Sequence, residues 1–192
     1  MVLSKTADTE TSLIEQAQNG DRNAYGELVR RQYQGVVLVV TRMCGDTGLA
    51  EDAAQEAFIR AWVNLPSYHP RSPLRNWLYR IAINAALDVL RRKPEEMLED
   101  EEALRLPDQA ADPETALIEK ERVVLLQQAM KSLPEAARSV LVLREFSGLS
   151  YQEIAGVLQV PVGTVMSRLN YARNRLRKIL NSYLARTESE YA

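Results

Sequence analysis

Residues 150–180 read SYQEIAGVLQVPVGTVMSRLNYARNRLRKIL, and this stretch decides the fold of the C-terminal half. Ser150 and Glu153 have the spacing of a capping box, in which each side chain bonds a backbone N–H at the start of a helix. Residues 160–164 supply a turn, and apolar residues then recur every three or four positions from Val165. Two short helices joined by a tight turn, the second amphipathic, are typical of a helix-turn-helix.

The second helix of this pair is cationic along its length. No acidic residue lies between Glu153 and Glu188. The basic residues of the same stretch are Arg168, Arg173, Arg175, Arg177, Lys178 and Arg186. Such a helix suits a polyanion, because each neutralised phosphate releases condensed counterions. The alternative is an ordinary αα-hairpin with a solvated basic face.

Charge is distributed unevenly along the chain, whose formal net charge is −2. Residues 93–115 carry 9 acidic and 2 basic residues, and they include three prolines and little apolar periodicity. This composition predicts a flexible acidic linker. The linker separates a predicted domain of residues 1–92 from a predicted basic domain of residues 116–192. The second domain carries 11 basic and 7 acidic residues.

Apolar residues recur at helical spacing through both domains, and strand signals are nearly absent. We therefore predict an all-α fold of two small helical domains. Gly20 and Asp21 are expected to end one short helix and cap the next. The run of residues 36–40 is rich in valine and could form a strand, but no partner strand lies nearby, so a helix is favoured.

The helix predicted over residues 49–65 has two different faces. One face is a broad stripe of alanines with Phe58, Trp62 and Leu65, which we expect to face the core. The opposite face clusters Asp52, Gln55, Glu56 and Ile59. An isoleucine within an acidic patch suggests a contact surface. Since single exposed apolar residues are normal, a solvated helix with one tolerated isoleucine remains the alternative.

A further helix is predicted to start at Ser72 and Pro73, because serine is a preferred N-cap and proline is favoured at the first helical position. One side of this helix presents Asn76, Tyr79, Arg80, Ile83, Asn84, Leu87 and Arg91. Basic, amide and aromatic groups on one face suit contacts with phosphates and bases. Ile83 and Leu87 leave open a helix that is packed on two sides.

Several functional classes are disfavoured by composition. No apolar run approaches the roughly 18 residues of a membrane span, and the first residues lack a signal peptide's apolar core, so we expect a cytoplasmic protein without membrane insertion. Cys44 is the only cysteine and His69 the only histidine. We therefore predict no catalytic residue, cofactor, metal site or small-molecule substrate, and a buried Cys44. An enzyme that uses Cys44 or His69 is a disfavoured alternative.

Two separate stretches resemble one family. SYQEIA and PVGTVMSRL, at residues 150–155 and 161–169, resemble the fourth region of bacterial sigma factors. AEDAAQEAFIRAW and SPLRNWLYRIAIN, at residues 50–62 and 72–84, resemble their second region. The order of the motifs and the short chain are similar to those of the extracytoplasmic-function (ECF) group. The resemblance implies a subunit that binds core RNA polymerase and directs promoter-specific initiation by recognising and melting promoter DNA.

The resemblance also implies roles for individual residues. Asp52, Gln55 and Glu56, with Ile59 beside them, would dock on the clamp helices of the polymerase large subunit. The segment from Tyr68 to Asn84 would read and open the minus-ten element, where an unpaired base is captured in a protein pocket. The candidate minus-ten contacts are Tyr68, Arg71, Asn76, Tyr79, Arg80 and Asn84. The candidate minus-thirty-five contacts are Thr164, Met166, Ser167, Arg168, Asn170, Tyr171, Arg173 and Arg175.

Met166 departs from the family pattern, which often has lysine or arginine at this position. Because methionine cannot make a bidentate contact with guanine, base readout is expected to fall on the neighbouring Ser167, Arg168, Asn170 or Tyr171. The resemblance further implies an anti-sigma factor partner, and an acidic linker that either threads the polymerase channels or is only a tether. The alternative function is a helix-turn-helix regulator that binds operator DNA as a dimer without polymerase.

Overall fold

A computed structural model describes residues 2–92 and 113–190, with side chains for residues 9–92 and 122–183. The described helices are α1 (Val2–Gln18), α2 (Arg22–Cys44), α3 (Thr47–Asn64), α4 (Leu74–Arg92), α5 (Pro113–Lys131), α6 (Glu135–Leu141), α7 (Tyr151–Leu158) and α8 (Val162–Glu190). The predicted all-α fold of two helical domains is confirmed. Residues 93–112 of the predicted linker lie outside the described residues, and α5 begins at Pro113.

Capping side chains and a glycine fix the ends of the N-terminal helices. Asp21 caps α2, because its carboxylate accepts from the N–H groups of Asn23 and Ala24 at 2.8 and 3.2 Å. Gly45 ends α2 in the left-handed region, with φ of 66°. Asp46 then caps α3 through the N–H of Leu49 at 2.7 Å. The valine-rich run lies within α2, so the helical reading is correct.

Alanines form the contact between α3 and α4, which is the largest helix pairing of the N-terminal domain. Ala53 and Ala61 on α3 and Ala82, Ala85 and Ala86 on α4 are fully buried. Side chains this small let two helix backbones approach closely, and larger side chains from α2 then fill the core around them. The predicted core stripe of α3 is therefore confirmed, with Phe58 and Trp62 half-buried at its margin.

Helix α4 is packed on more than one side, which the sequence left open. Asn76 and Tyr79 were expected on a DNA-facing side, whereas Ile83 left packing on two sides open; the three residues are 5%, 5% and 2% exposed. Tyr79 points toward α2, where a Cβ atom on Gly35 would lie 2.6 Å from the tyrosine oxygen. The absence of a side chain at Gly35 makes the space that Tyr79 occupies. The helical wheel could not reveal this second packing partner.

The C-terminal domain is built around the helix-turn-helix of α7 and α8. Helix α6 continues into a widened π-helical turn over Val142–Phe146, and Gly148 then reverses the chain with φ of 68°. Val165, Leu169 and Ala172 of α8 are buried against α6 and α7. The predicted amphipathic second helix is confirmed, and it extends to Glu190.

The two domains share one continuous core. The guanidinium of Arg138 in α6 donates to the carbonyl of Met43 near the end of α2 at 2.6 Å. The guanidinium carbon of Arg42 lies 4.7 Å from the ring centroid of Phe146. Asn76 of α4 donates from Nδ2 to a Glu153 oxygen of α7 at 3.2 Å. These contacts place α7 against the first turns of α4.

Cys44 lies at the end of α2 and is 3% exposed, so its predicted burial is confirmed. Burial raises the pKa of this thiol to about 12. The thiolate, which is the reactive form of cysteine, is therefore strongly disfavoured in the folded protein. Among the described residues, no helix is long and apolar enough to span a membrane. The same part of the chain holds no metal-ligand cluster of histidine, cysteine and carboxylate groups.

The glycines of α2 allow a matched test of the close approach at Tyr79. Gly35→Ala should lower the free energy of unfolding by about 1–3 kcal/mol, because the new methyl group collides with the Tyr79 hydroxyl. Gly26→Ala lies on the same helix, where the new Cβ would only make an ordinary contact with the end of the Arg30 side chain at 3.8 Å, and it should raise the free energy of unfolding by about 0.5–1 kcal/mol through helix propensity. Denaturant unfolding of both variants measures the difference.

Adding Tyr79→Phe to Gly35→Ala should recover part of the loss, since the nearest ring carbons lie 3.4 Å from the Cβ position rather than 2.6 Å. Equal stability of the Gly35→Ala and Gly26→Ala proteins would contradict the packing argument.

Candidate functional site

The α3 patch, defined as Asp52, Gln55, Glu56 and Ile59, lies on the outer surface of the N-terminal domain. Asp52 and Gln55 are exposed, and Ile59 is 60% exposed. The predicted grouping of one apolar side chain with polar and acidic neighbours is therefore present in the structure. This is a surface that another protein can reach without any rearrangement of the described helices.

Glu56 differs from the other members of the α3 patch. It is half-buried and bonds Arg60 at 2.7 Å, and Arg60 in turn bonds Asp88 of α4 at 2.6 Å. The hydrogen bond from Arg60 is the main cause of the lowered pKa of Asp88. Glu56 thus also links α3 to α4, and a substitution there affects the fold as well as the patch.

Two exposed apolar side chains extend the α3 patch beyond the predicted residues. Val63 is 68% exposed and lies one helical turn after Ile59, so the spacing of four residues could have revealed it. Tyr33 of α2 is 52% exposed and stacks on Phe58, with ring centroids 6.0 Å apart. No local pattern indicated Tyr33, because its position depends on how α2 packs against α3.

The candidate minus-ten residues fall into two groups. Arg71, Arg80 and Asn84 are exposed. Tyr68, Asn76 and Tyr79 are buried, each at 5% exposure or less. The Oδ1 atom of Asn76 is buried without a hydrogen-bond partner, although its Nδ2 bonds Glu153. The structure therefore does not bring all six side chains to one solvent-facing surface.

A cleft separates α4 from the C-terminal domain at this place. Its N-terminal wall consists of Arg71, Ser72, Pro73, Asn76, Trp77 and Arg80, and its other wall is formed by residues 152–157 of α7. A second cleft continues along α4 past Asn84 and Arg91 to Arg168 of α8. Exposed arginines thus line the surface between the domains, where they are suited to bind a polyanion.

Helix α7 begins with the predicted capping box. The Oγ of Ser150 accepts from the N–H of Glu153 at 3.3 Å, and the Glu153 carboxylate accepts from the N–H of Ser150 at 2.8 Å. Glu153 also accepts from the Ser150 hydroxyl and from Asn76. These donors, led by the Ser150 N–H, hold the pKa of Glu153 below its ordinary value.

Helix α8 presents most of the candidate minus-thirty-five residues to solvent. The exposed members are Met166, Ser167, Asn170, Tyr171, Arg173 and Arg175, whereas Thr164 and Arg168 are half-buried. Met166 and Tyr171 are 53% and 50% exposed. Arg173 is paired with Glu145 at 2.6 Å, so its positive charge is partly neutralised within the domain.

Two family models of known proteins match separate parts of the chain. Residues 28–95 match the family model described as sigma-70 region 2, and residues 124–176 match the one described as sigma-70, region 4. The RNA polymerase sigma-H factor of Pseudomonas aeruginosa is 38% identical over 93% of this chain and 97% of its own length. The ECF RNA polymerase sigma factor SigW of Bacillus subtilis is 39% identical over 87% and 94%.

A similar arrangement occurs among solved structures. CnrH, solved in complex with the cytosolic domain of CnrY, superposes with a TM-score of 0.68 and 28% sequence identity. The match covers 91% of this chain and 98% of CnrH. Because it spans both domains, the likeness extends to the fold as a whole.

The lowered pKa of Glu153 predicts a pH-dependent stability. The ionised Glu153 carboxylate stabilises the folded protein above its ordinary pKa of 4.5. This stabilisation is lost as pH falls through the lower pKa that the carboxylate has in the folded state. The stability difference between the wild-type protein and Glu153→Gln should therefore be largest at neutral pH and shrink below about pH 4.5. Urea unfolding between pH 7 and 3 measures this difference.

Ser150→Ala provides the companion variant. It removes the hydroxyl that donates to the Glu153 carboxylate and caps the Glu153 N–H. The free energy of unfolding should therefore fall by about 1 kcal/mol at neutral pH. A constant difference between wild type and Glu153→Gln over the whole pH range would contradict the assigned role of the carboxylate.

Proposed function

The chain belongs to the ECF group of the sigma-70 family of RNA polymerase sigma factors, which direct promoter-specific transcription, and from this premise we propose how its surfaces divide that task. The observation that carries the assignment is the presence of region 2 and region 4, in that order, over most of the chain. Core RNA polymerase and promoter DNA are the partners of this function. Synthesis belongs to the polymerase.

The α3 patch is proposed as the site that docks on the clamp helices of the polymerase large subunit. Asp52 and Gln55 offer polar contacts, and Ile59 with Val63 offers apolar surface that is exposed in the described part of the chain. An exposed apolar centre surrounded by polar groups is the usual composition of a protein interface. Glu56 supports this site indirectly, because it bonds Arg60 and Arg60 in turn holds α3 against α4 through Asp88.

The loop after α3 and helix α4 are proposed to read and open the minus-ten element, and α8 is proposed to enter the major groove at the minus-thirty-five element. Arg71 and Arg80 are exposed cations on the first of these segments. On α8, Ser167, Asn170 and Tyr171 stand beside Met166 on the solvent side. Apolar Met166 suits contact with a thymine methyl group rather than with guanine.

The contacts between the domains have a consequence for this division. Glu153 bonds Asn76, so α7 covers a residue that is proposed to contact the minus-ten element. The domains must therefore separate before both DNA sites are available. A protein partner that stabilises the closed arrangement would inhibit the sigma factor, and we propose an anti-sigma factor in this role. CnrH, the structural neighbour, was itself solved with a bound partner. We place the chain in the cytoplasm, where transcription occurs.

The function is tested by transcription with purified core polymerase. We expect specific initiation from a subset of genomic templates, and the double variant Asp52→Lys with Ile59→Glu should lower core affinity by about tenfold or more, which equals about 1.4 kcal/mol. Charge reversal and loss of apolar contact both act at the patch. Equilibrium binding of labelled protein to core polymerase measures the loss.

Glu51→Lys is the matched control for the patch variant. It makes the same charge reversal as Asp52→Lys on an exposed position of the same helix, about 100° around the axis from Asp52. Its core affinity should stay within about twofold of the wild type. Equal losses in both proteins would remove the α3 patch from the interface, and absence of any specific transcription would refute the function itself.

The recognition helix is tested at Arg168. Arg168→Ala should weaken promoter binding by the holoenzyme by about 1–3 kcal/mol if the guanidinium contacts a base, and leave binding to scrambled DNA almost unchanged. Arg175→Ala serves for comparison, since a phosphate contact lowers affinity for both DNA sequences alike. Equal losses on promoter and scrambled DNA with Arg168→Ala would make Arg168 a phosphate contact as well.

A further inference from the structure

Gln18, at the end of α1, bonds a segment of the chain nearly fifty residues away. Its Nε2 donates to the carbonyl of Leu65 at 3.0 Å and to the carbonyl of Tyr68 at 2.8 Å. Both carbonyls belong to the turn that leaves α3, and the side chain is half-buried. A single amide thus uses both of its N–H donors to hold one turn, which is an unusual use of a glutamine at a helix end.

Tyr68 fixes the same segment from inside. Its side chain is 4% exposed, and its hydroxyl donates to the carbonyl of Ser72 at 2.8 Å. Its ring packs on Trp77 of α4 with centroids 5.1 Å apart. Residues 68–72 are therefore closed into a small loop by one hydrogen bond, and Gln18 attaches the beginning of this loop to α1.

Only the tip of this loop faces solvent. Residues 69–73 are exposed, whereas Tyr68 before them and Leu74 after them are buried. The exposed tip forms one wall of the cleft that also contains Asn76 and Arg80. Fixing both ends of a short loop limits the positions that its tip can take, so a ligand that binds the tip loses less conformational entropy on association.

We propose that Gln18 is a positioning residue for minus-ten recognition, in which it and Tyr68 hold the 68–72 loop in the shape that captures an unpaired promoter base. The inference rests on the proposed function of this segment and goes beyond it in two respects. It gives α1 an indirect role in DNA recognition, and it assigns Tyr68 to shaping the loop instead of contacting the base. Contact with the nucleic acid then falls on exposed groups such as Arg71 and Arg80.

The test uses Gln18→Met in the full chain, bound to core polymerase. Methionine keeps the length and the apolar stem of the side chain but removes both donors. The probe is the single-stranded nontemplate strand of the minus-ten region, taken from a promoter whose start site has been mapped with the wild-type holoenzyme. We expect affinity for this oligonucleotide to fall about tenfold, which equals about 1.4 kcal/mol. Affinity for core polymerase and for the minus-thirty-five duplex should not change.

Two further variants separate positioning from general stability. Gln16→Met makes the same substitution on the same helix, where the glutamine side chain donates to the nearby Ser12 at 3.1 Å, and it should leave oligonucleotide affinity unchanged. Gln18→Lys restores donors that reach the carbonyls of Leu65 and Tyr68, so it should recover part of the affinity. Tyr68→Phe, which opens the loop at Ser72, should show the same selective loss as Gln18→Met.

The possible failures are distinguishable. If the wild-type holoenzyme does not bind the oligonucleotide specifically, the minus-ten assignment is wrong and this inference falls with it. If the wild type binds and Gln18→Met binds equally well, only the positioning role is refuted. A loss of equal size in core affinity and in oligonucleotide affinity would also overturn the positioning role, because it would show that Gln18 supports the whole domain.

Discussion

The buried guanidinium of Arg138 is the interaction on which the arrangement of the two domains depends. Its Nη2 donates to the carbonyls of Lys131 and Leu133 at 2.8 and 3.0 Å, and its Nη1 donates to Met43. Arginine stays protonated in proteins, so a side chain that is 7% exposed must find acceptors for its charge. The carbonyls at the ends of α2 and α5 carry the partial negative charge of their helix dipoles and meet this need at both Nη atoms, while Nε is buried without a hydrogen-bond partner. One cation therefore joins the last turn of each helix to the start of α6.

This constraint explains the two-sided packing of α4. Once α2 and α5 are joined at their ends, the C-terminal domain lies against the N-terminal helices, and α7 reaches the first turns of α4. Asn76 then meets Glu153, and Ile83, Val157 and Leu158 line one cleft between the domains. Tyr79 is buried for a separate reason, since it fills the space at Gly35 within the N-terminal domain. Helix α4 thus has residues that are buried within the N-terminal domain and residues that are buried against the C-terminal domain.

The sequence predicted the local features well because each depends on neighbouring residues. The capping box of Ser150 and Glu153, the cap at Asp21 and the alanine stripe of α3 all follow from spacing within one or two turns. The orientation of α4 could not be predicted in this way. A helical wheel shows which residues share a face, but it does not show how many partners the helix has. Gln18 was missed for the same reason, because its acceptors lie 47 and 50 residues away.

The positions of the two kinds of surface suggest an order of events for the proposed function. The domain contact leaves the apolar part of the α3 surface uncovered, since Ile59 and Val63 are exposed while the domains are closed. Asn76 is covered in the same arrangement. Contacts with polymerase can therefore form first, whereas contact with minus-ten DNA requires the bond between Asn76 and Glu153 to open. Glu153 keeps its local partner, Ser150, when this happens, so α7 retains its cap. The helix-turn-helix can then leave α4 without losing the interaction that begins it.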